Sequence, residues 1–443
     1  MSASAPLRSL REPLAALAIA LGLLYALWLA GRAPAAPHHV LGELLDLRSF
    51  PSLDWLESFA GLWQGAALAL AAVPRWPPRQ RLLLLVAGVA LAAIYQVGIG
   101  RPQWWLYTYS FLAGAGLVAA GFFALEALRG GERRHAAYIL SGVVLFAAYG
   151  MVTKTYLIHS SVQAAPVLDW SALRLDAAAF GFSPSAWAVH AAPPGSALRV
   201  ALAIAYELLP LAMLAVFALE VRDPRRLPFG LFRGVFACGF AAALLYAITP
   251  VTGPAYALGA AFPDQLAPLL QRAPVLLATP AGAFAPRNAF PSFHLMWALV
   301  ALLLAWRFGW PARVGFGLYA LLIAAATLAL GEHYLIDLVA ALPVLAAIVA
   351  LCIESVSWRS PVRRRALAGG IVLYLVWVAL LRPTWAQAVA ALPLILSAWC
   401  VLNVAAGIYW LRALLLEWER QRSAALSEGQ AAGAKWERQE AGA

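Results

Sequence analysis

Charge is scarce in this chain. Asp, Glu, Lys and Arg make up 12% of its 443 residues, against 63% hydrophobic ones. That shortage excludes a water-soluble domain of this size, which has no use for so much apolar surface. Acids are scarcer than bases, 21 against 32, for a formal net charge of +11. Cysteine is nearly absent. Cys238, Cys352 and Cys400 all lie in apolar runs without CxxC spacing. They form neither a disulfide framework nor a thiolate metal site, and read as helix- or lipid-facing residues. No sequence repeat relates one half of the chain to the other.

What the chain has instead is apolar runs. About twelve are long enough to be transmembrane helices: residues 12–30, 56–73, 82–98, 105–128, 136–157, 197–220, 231–249, 289–306, 314–331, 335–355, 367–382 and 386–410. A further run, 265–280, is short and holds Pro268, Arg272 and Pro274; it reads as a re-entrant or surface piece. The expected fold class is all-α, a polytopic membrane protein. Basic residues set its orientation. Arg8 and Arg11, the loops 75–81, 129–135, 221–226, 307–313 and 358–365, and the tail from Arg412 alternate onto one side. By the positive-inside rule that side is cytoplasmic, with both termini there and the protein in the cell (inner) membrane. The positive charge is thereby explained without nucleic acid.

The first segment has a charged start and is followed by "GRAPAAP". Its apolar stretch is long for a signal peptide, so it is expected to stay as a helix. The tail from about Ser423 is polar and Ala/Gly-rich, the composition of a disordered segment. The outward segment 158–196 contains "LDWSALRLDAAAFGFSPSAW", the pattern of a short amphipathic helix lying on the membrane surface. Interfacial anchor and substrate gate are both open readings of it. The domain reading is an N-terminal membrane domain of five helices (1–157, role unassigned), a core (158–355), C-terminal membrane helices (356–411) and a tail (412–443).

Two outward corners gather the ionisable residues. "RNAFPSFH" places Arg287, Ser292 and His294 at the start of a helix. "GEHYLIDLVAA" places Glu332, His333 and Asp337 where one helix ends and the next begins. His333 and Asp337 share a helix face at i,i+4. A carboxylate there can hold one imidazole nitrogen and leave the other free and more basic, which a nucleophilic or general-base histidine requires. The helices 289–306 and 314–331 are joined by a short cytoplasmic loop, so they are expected as antiparallel neighbours with the two histidines at similar depth. Ionisable residues at membrane depth point to function.

"FPSFH" followed by "GEHYLIDLVAA" resembles the last two signature motifs, PSxH and HxxxD, of the type 2 phosphatidic acid phosphatase superfamily. Upstream, "YAITPVTGPAY" (246–256) is similar to a stretch of its inositolphosphotransferase branch, which includes inositol phosphorylceramide synthase. The resemblance covers about residues 165–355 and implies a six-helix catalytic core in the C-terminal half. It also implies roles. His333 would attack phosphorus and form a phosphohistidine, Asp337 would orient it, and His294 would protonate the leaving oxygen. Arg287 and Ser292 would bind phosphate oxygens, with Tyr246, Gly253, Pro254, Tyr256, Lys154 and Glu207 as candidate pocket residues. The implied substrate is a lipid phosphate among membrane lipids, with no metal and no cofactor. Transfer to an alcohol would make a phosphotransferase, transfer to water a phosphatase acting on phosphatidic acid or a polyprenyl pyrophosphate.

Two departures from the phosphatase pattern favour the transferase branch. The KxxxxxxRP motif is missing, since "GRP" at 100–102 is preceded by Ile94 in the lysine place, and Thr327 stands where the third motif carries arginine. Lys154 either substitutes for the lost charge or snorkels to the headgroups. Glu207, mid-helix in "AIAYELLPLAML", either lines a polar cavity or stitches helices together. Three rivals of other classes remain. A transporter lacks the expected repeat and matched broken helices. A polyprenyl-dependent glycosyltransferase would use Glu43 and Asp46 in the first outward loop. A zinc site at His333 and Asp337 lacks a third good ligand.

Overall fold

The structure, a computed structural model, describes residues 67–70, 77–99, 104–129, 135–146, 149, 166–223, 227–271, 275–278, 285–354 and 356–441. The expected spans at 12–30 and most of 56–73, together with Glu43, Asp46 and Lys154, lie outside them. The regular structure among the described residues is helical apart from one two-residue pairing, in which β1 (Pro166–Val167) runs antiparallel to β2 (Leu277–Ala278). The helices are α1 (Pro78–Ile99), α2 (Trp104–Arg129), α3 (His135–Phe146), α4 (Asp169–Phe180), α5 (Pro184–Ala191), α6 (Ala197–Glu207) and α7 (Leu209–Arg222). They continue with α8 (Leu231–Ile248), α9 (Phe293–Ala305), α10 (Trp310–Ala329), α11 (Leu335–Cys352), α12 (Pro361–Leu380), α13 (Pro383–Ala390) and α14 (Pro393–Ala441).

Four described helices are long and apolar enough to cross a membrane: Leu231–Ile248, Trp310–Ala329, Leu335–Cys352 and the Pro393–Ala424 part of α14. Counting each bent pair as one span raises the number to six. These helices fit a multi-pass membrane protein. Their outer faces say the same. On α14, Leu394, Ile395 and Val401 are 84%, 61% and 68% exposed. Each would forfeit roughly 1.5–3 kcal/mol in water, a loss that lipid removes.

Several expected boundaries shift, each for a local reason. The run 197–220 is two helices bent by 45°. Pro210 sits in the first turn of α7, where its missing N–H is harmless but a straight helix could not continue through it. Glu207 therefore ends α6 instead of lying mid-helix. The run 289–306 contains only 13 helical residues, about 20 Å at 1.5 Å each. Its first part is a loop, and Ser292 caps the helix by accepting from the Leu295 N–H. The C-terminal run 386–410 divides into α13, turned 93° from α12, and α14 beginning at Pro393. Helix α14 then runs on to Ala441, through the tail that composition had marked as disordered; its Ala, Glu, Gln, Lys and Arg are all good helix formers. The stretch 265–280 does not span: its described parts are a single turn, Ala267–Leu270, and β2.

Helix α11 is the axis of this region. It packs against α4, α8, α9, α12 and α14, and nearly all its side chains are buried. Such enclosure needs small neighbours: a Cβ on Gly370 of α12 would lie 2.3 Å from the Pro343 carbonyl oxygen. Side chains from neighbouring helices satisfy main-chain groups at both ends of α11. Asp176 accepts from the Ile336 N–H at 3.0 Å. At the other end Arg363 donates to the carbonyls of Ala350 at 2.7 Å, Leu351 at 3.2 Å and Val356.

Helix α4 departs most from expectation. Its sequence reads as a surface amphipath, yet Asp169, Trp170, Ser171, Leu173, Leu175 and Asp176 are all buried. Its two carboxylates are hydrogen-bond acceptors turned inward and Arg174 donates to the Leu270 carbonyl, so α4 serves as an internal brace rather than presenting a charged face to water.

Candidate active site

The two motifs converge as their spacing predicts. Ser292, at the N-cap of α9, and Asp337, in the first turn of α11, are tied through the main chain: the Ser292 N–H donates to the Asp337 carbonyl at 3.1 Å. His333 sits in the loop just before α11. Its own N–H and that of Glu332 both donate to the Thr327 carbonyl, at 3.2 and 3.0 Å. The imidazole is thereby fixed between the two helix starts. Its Nδ1 lies 3.3 Å from Asp337 Oδ2, and that oxygen also accepts from the Tyr334 N–H at 2.8 Å. Its Nε2 faces Ser292 Oγ at 3.3 Å and His294 Nδ1 at 3.5 Å.

His333 and Asp337 are fully buried, while His294 is half-buried. Burial lowers the His333 pKa well below the ordinary imidazole range, and neighbouring His294 lowers it further. His333 is therefore neutral at physiological pH, with a lone pair on Nε2 once Nδ1–H is committed to Asp337. That is the form a nucleophile needs.

Around this centre the remaining expected residues take different positions. The loop "VTGP" backs onto "GEHY". Ala255 N–H donates to the Gly331 carbonyl at 3.0 Å. Gly253 has φ +92°, and a Cβ there would lie 2.2 Å from the Glu332 carbonyl oxygen. Only glycine fits such an approach in that conformation. Pro254, which follows it, opens the short helix Pro254–Leu258. Tyr256 donates its hydroxyl to Glu332 Oε1 at 2.9 Å. Burial raises the Glu332 pKa to about 7; the Tyr256 bond opposes this and Glu207 adds to it. Tyr246 is buried edge-on against Phe293, centroids 5.3 Å apart. Arg287 is half-buried in the loop that leads to Ser292.

Sequence reading missed three residues. Tyr206 places its hydroxyl 2.8 Å from His294 Nε2; a tyrosine in an apolar run reads as packing. Asp169 accepts from the Thr252 N–H (3.0 Å) and hydroxyl (3.1 Å), the Gly253 N–H (2.9 Å) and the Tyr334 hydroxyl (3.2 Å). It thus clamps the "VTGP" loop to the residue after His333. Asp176 caps α11 as described. Their signal was present, two carboxylates two turns apart on one face of α4. Burial raises their pKa values to about 7 for Asp169 and about 8 for Asp176.

Among the described residues no group of three or more His, Cys, Asp or Glu side chains is arranged to hold a metal ion. His333, Asp337, His294 and Ser292 form one contiguous cluster where α9 and α11 begin.

No curated protein matches the chain, and no solved structure does. The family model described as the PAP2 superfamily matches residues 172–351. The histidines, Ser292 and Asp337 all lie inside that stretch, and the match supports phosphatase- or phosphotransferase-type activity on a lipid phosphate.

Proposed function

We propose that this protein moves a phosphoryl or phospho-head group from a lipid phosphate to an alcohol acceptor through a phosphohistidine on His333, at the outer face of the membrane. One observation carries the reading: Asp337 holds Nδ1 of His333 while Nε2 points at Ser292 and His294. Nε2 attacks phosphorus as the bond to the leaving oxygen breaks, and His294 gives that oxygen a proton. The acceptor then attacks phosphorus, returns a proton to His294 and releases Nε2. Asp337 offsets the positive charge that builds on His333. Ser292 and Arg287 bind the phosphate oxygens, Arg287 as a two-pronged donor. The transfer branch is supported by Thr327, which is buried and donates its hydroxyl to the Ala324 carbonyl at 2.9 Å. It supplies no cation where the phosphatase pattern carries arginine. The scheme uses no metal.

The test is phosphate release, and label transfer to added alcohols, from a panel of lipid phosphates in detergent with EDTA. Wild type is expected to turn over, with the labelled product distinguishing transfer from hydrolysis. His333→Ala and His294→Ala are expected to lose the activity. Mutants that keep full activity would refute the two-histidine centre.

A further inference from the structure

The two histidines are held at opposite ring positions. Asp337 engages Nδ1 of His333 and leaves Nε2 to the site. At His294 the Tyr206 hydroxyl engages Nε2 at 2.8 Å, and Nδ1 faces His333 Nε2 at 3.5 Å. The same hydroxyl lies 3.4 Å from Nδ1; the shorter contact is the hydrogen bond. The Tyr206 ring packs against the imidazole with centroids 4.5 Å apart, and Trp297 meets it edge-on at 5.9 Å. Tyr206 is itself well placed. It lies one residue before the end of α6, and the Tyr319 hydroxyl donates to the adjacent Ala205 carbonyl at 2.8 Å, pinning that helix end to α10.

We propose that Tyr206 is the positioning residue of the acid–base histidine: by occupying Nε2 it makes Nδ1 of His294 the nitrogen that exchanges the proton. The inference rests on the phosphoryl-transfer reading. In the acid form both nitrogens carry hydrogen. Nε2–H donates to the phenol oxygen, and Nδ1–H passes to the leaving oxygen as its bond to phosphorus breaks. In the base form Nε2–H stays on the phenol, and the Nδ1 lone pair takes the acceptor's proton as the phosphorus–nitrogen bond to His333 breaks. The protons balance over the cycle. A neutral phenol fixes the ring without adding charge, so His294 can give and take a proton in turn. A carboxylate suits His333 instead, because positive charge accumulates there.

The experiment has two readouts on the full chain in micelles. The first is 15N NMR of histidine-labelled protein, with His294 assigned by its loss in His294→Ala. Neutral His294 is expected to carry its proton on Nε2, and Tyr206→Phe, which keeps the ring packing, is expected to redistribute it. A proton on Nδ1 in the wild type, or no change in Tyr206→Phe, overturns the proposal. The second compares lipid phosphates having an alkyl leaving group with those having an activated aryl one, which needs no acid. Tyr206→Phe is expected to lose about 10–100-fold in kcat on the alkyl substrate, with KM little changed, and less than about threefold on the aryl one. Equal losses on both overturn the acid–base role. The two readings fail distinguishably. A wild type that turns over neither substrate sinks the phosphoryl-transfer reading and this role with it. A wild type that needs His333 but is indifferent to Tyr206→Phe sinks this inference alone.

Discussion

Glu332 stands immediately before His333 and shares its environment with Tyr256 and Glu207. Its pKa, raised to about 7 mainly by burial, makes it neutral below that pH and anionic above it. An anion beside the proposed phosphate site repels an anionic substrate. The expected result is that kcat/KM on a lipid phosphate declines as pH rises through about 7, and that Glu332→Gln flattens this limb. A pH–rate profile of the two proteins checks it; an unchanged limb in the variant would assign the titration elsewhere. At this scale the sequence was readable where a residue type has few other uses. His294, Ser292, His333 and Asp337 stand out because paired histidines, a serine and an i+4 carboxylate are costly at the end of an apolar helix, and the fold brings the four together. Tyr206 does not stand out, because an aromatic side chain in an apolar run is ordinary and only its contact with His294 sets it apart.

Elements were readable in kind and less so in extent. Apolar runs marked α8, α10 and α11, but the short α9 and the bend before α7 depend on where a cap or a proline falls. Helix α4 was misplaced for another reason. Charged residues on one helix face look alike whether they meet water or buried N–H groups, and the distinction comes from partners distant in the chain: Thr252, Gly253, Tyr334 and Ile336. The loop "VTGP" offers the clearest test at this scale. Gly253→Ala sets a methyl group 2.2 Å from the Glu332 carbonyl oxygen at a φ of +92°, a conformation costing about 1–3 kcal/mol for other residues even without the clash. The expected outcome is a lower thermal midpoint together with strongly reduced turnover, because the displaced backbone leads directly into His333. Thermal unfolding and activity measured on the same preparation decide it, and normal turnover would show that the loop does not position the site.

For the molecule as a whole, the buried acids of α4 couple folding to pH. The pKa values of Asp169 and Asp176 rise from 3.8 to about 7 and about 8 in the folded chain. These two groups therefore hold more protons in the native state than in the unfolded state between those values, and their contribution to stability falls as pH increases across that window, outweighing the opposite contribution of the buried, neutral His333. The thermal midpoint in detergent is expected to decline from about pH 4 to about pH 8 and then level off, with Asp176→Asn showing a shallower decline. A midpoint that rises over this range would contradict the assignment. One further consequence follows from the bond between the Ser292 N–H and the Asp337 carbonyl. Both partners are main-chain atoms, so exchanging either side chain for another, other than proline at 292, leaves donor and acceptor in place. The spacing between the starts of α9 and α11 is therefore heritable separately from the chemistry mounted on it. Side chains around His294 and His333 can be replaced while the distance between the two helix starts stays constant.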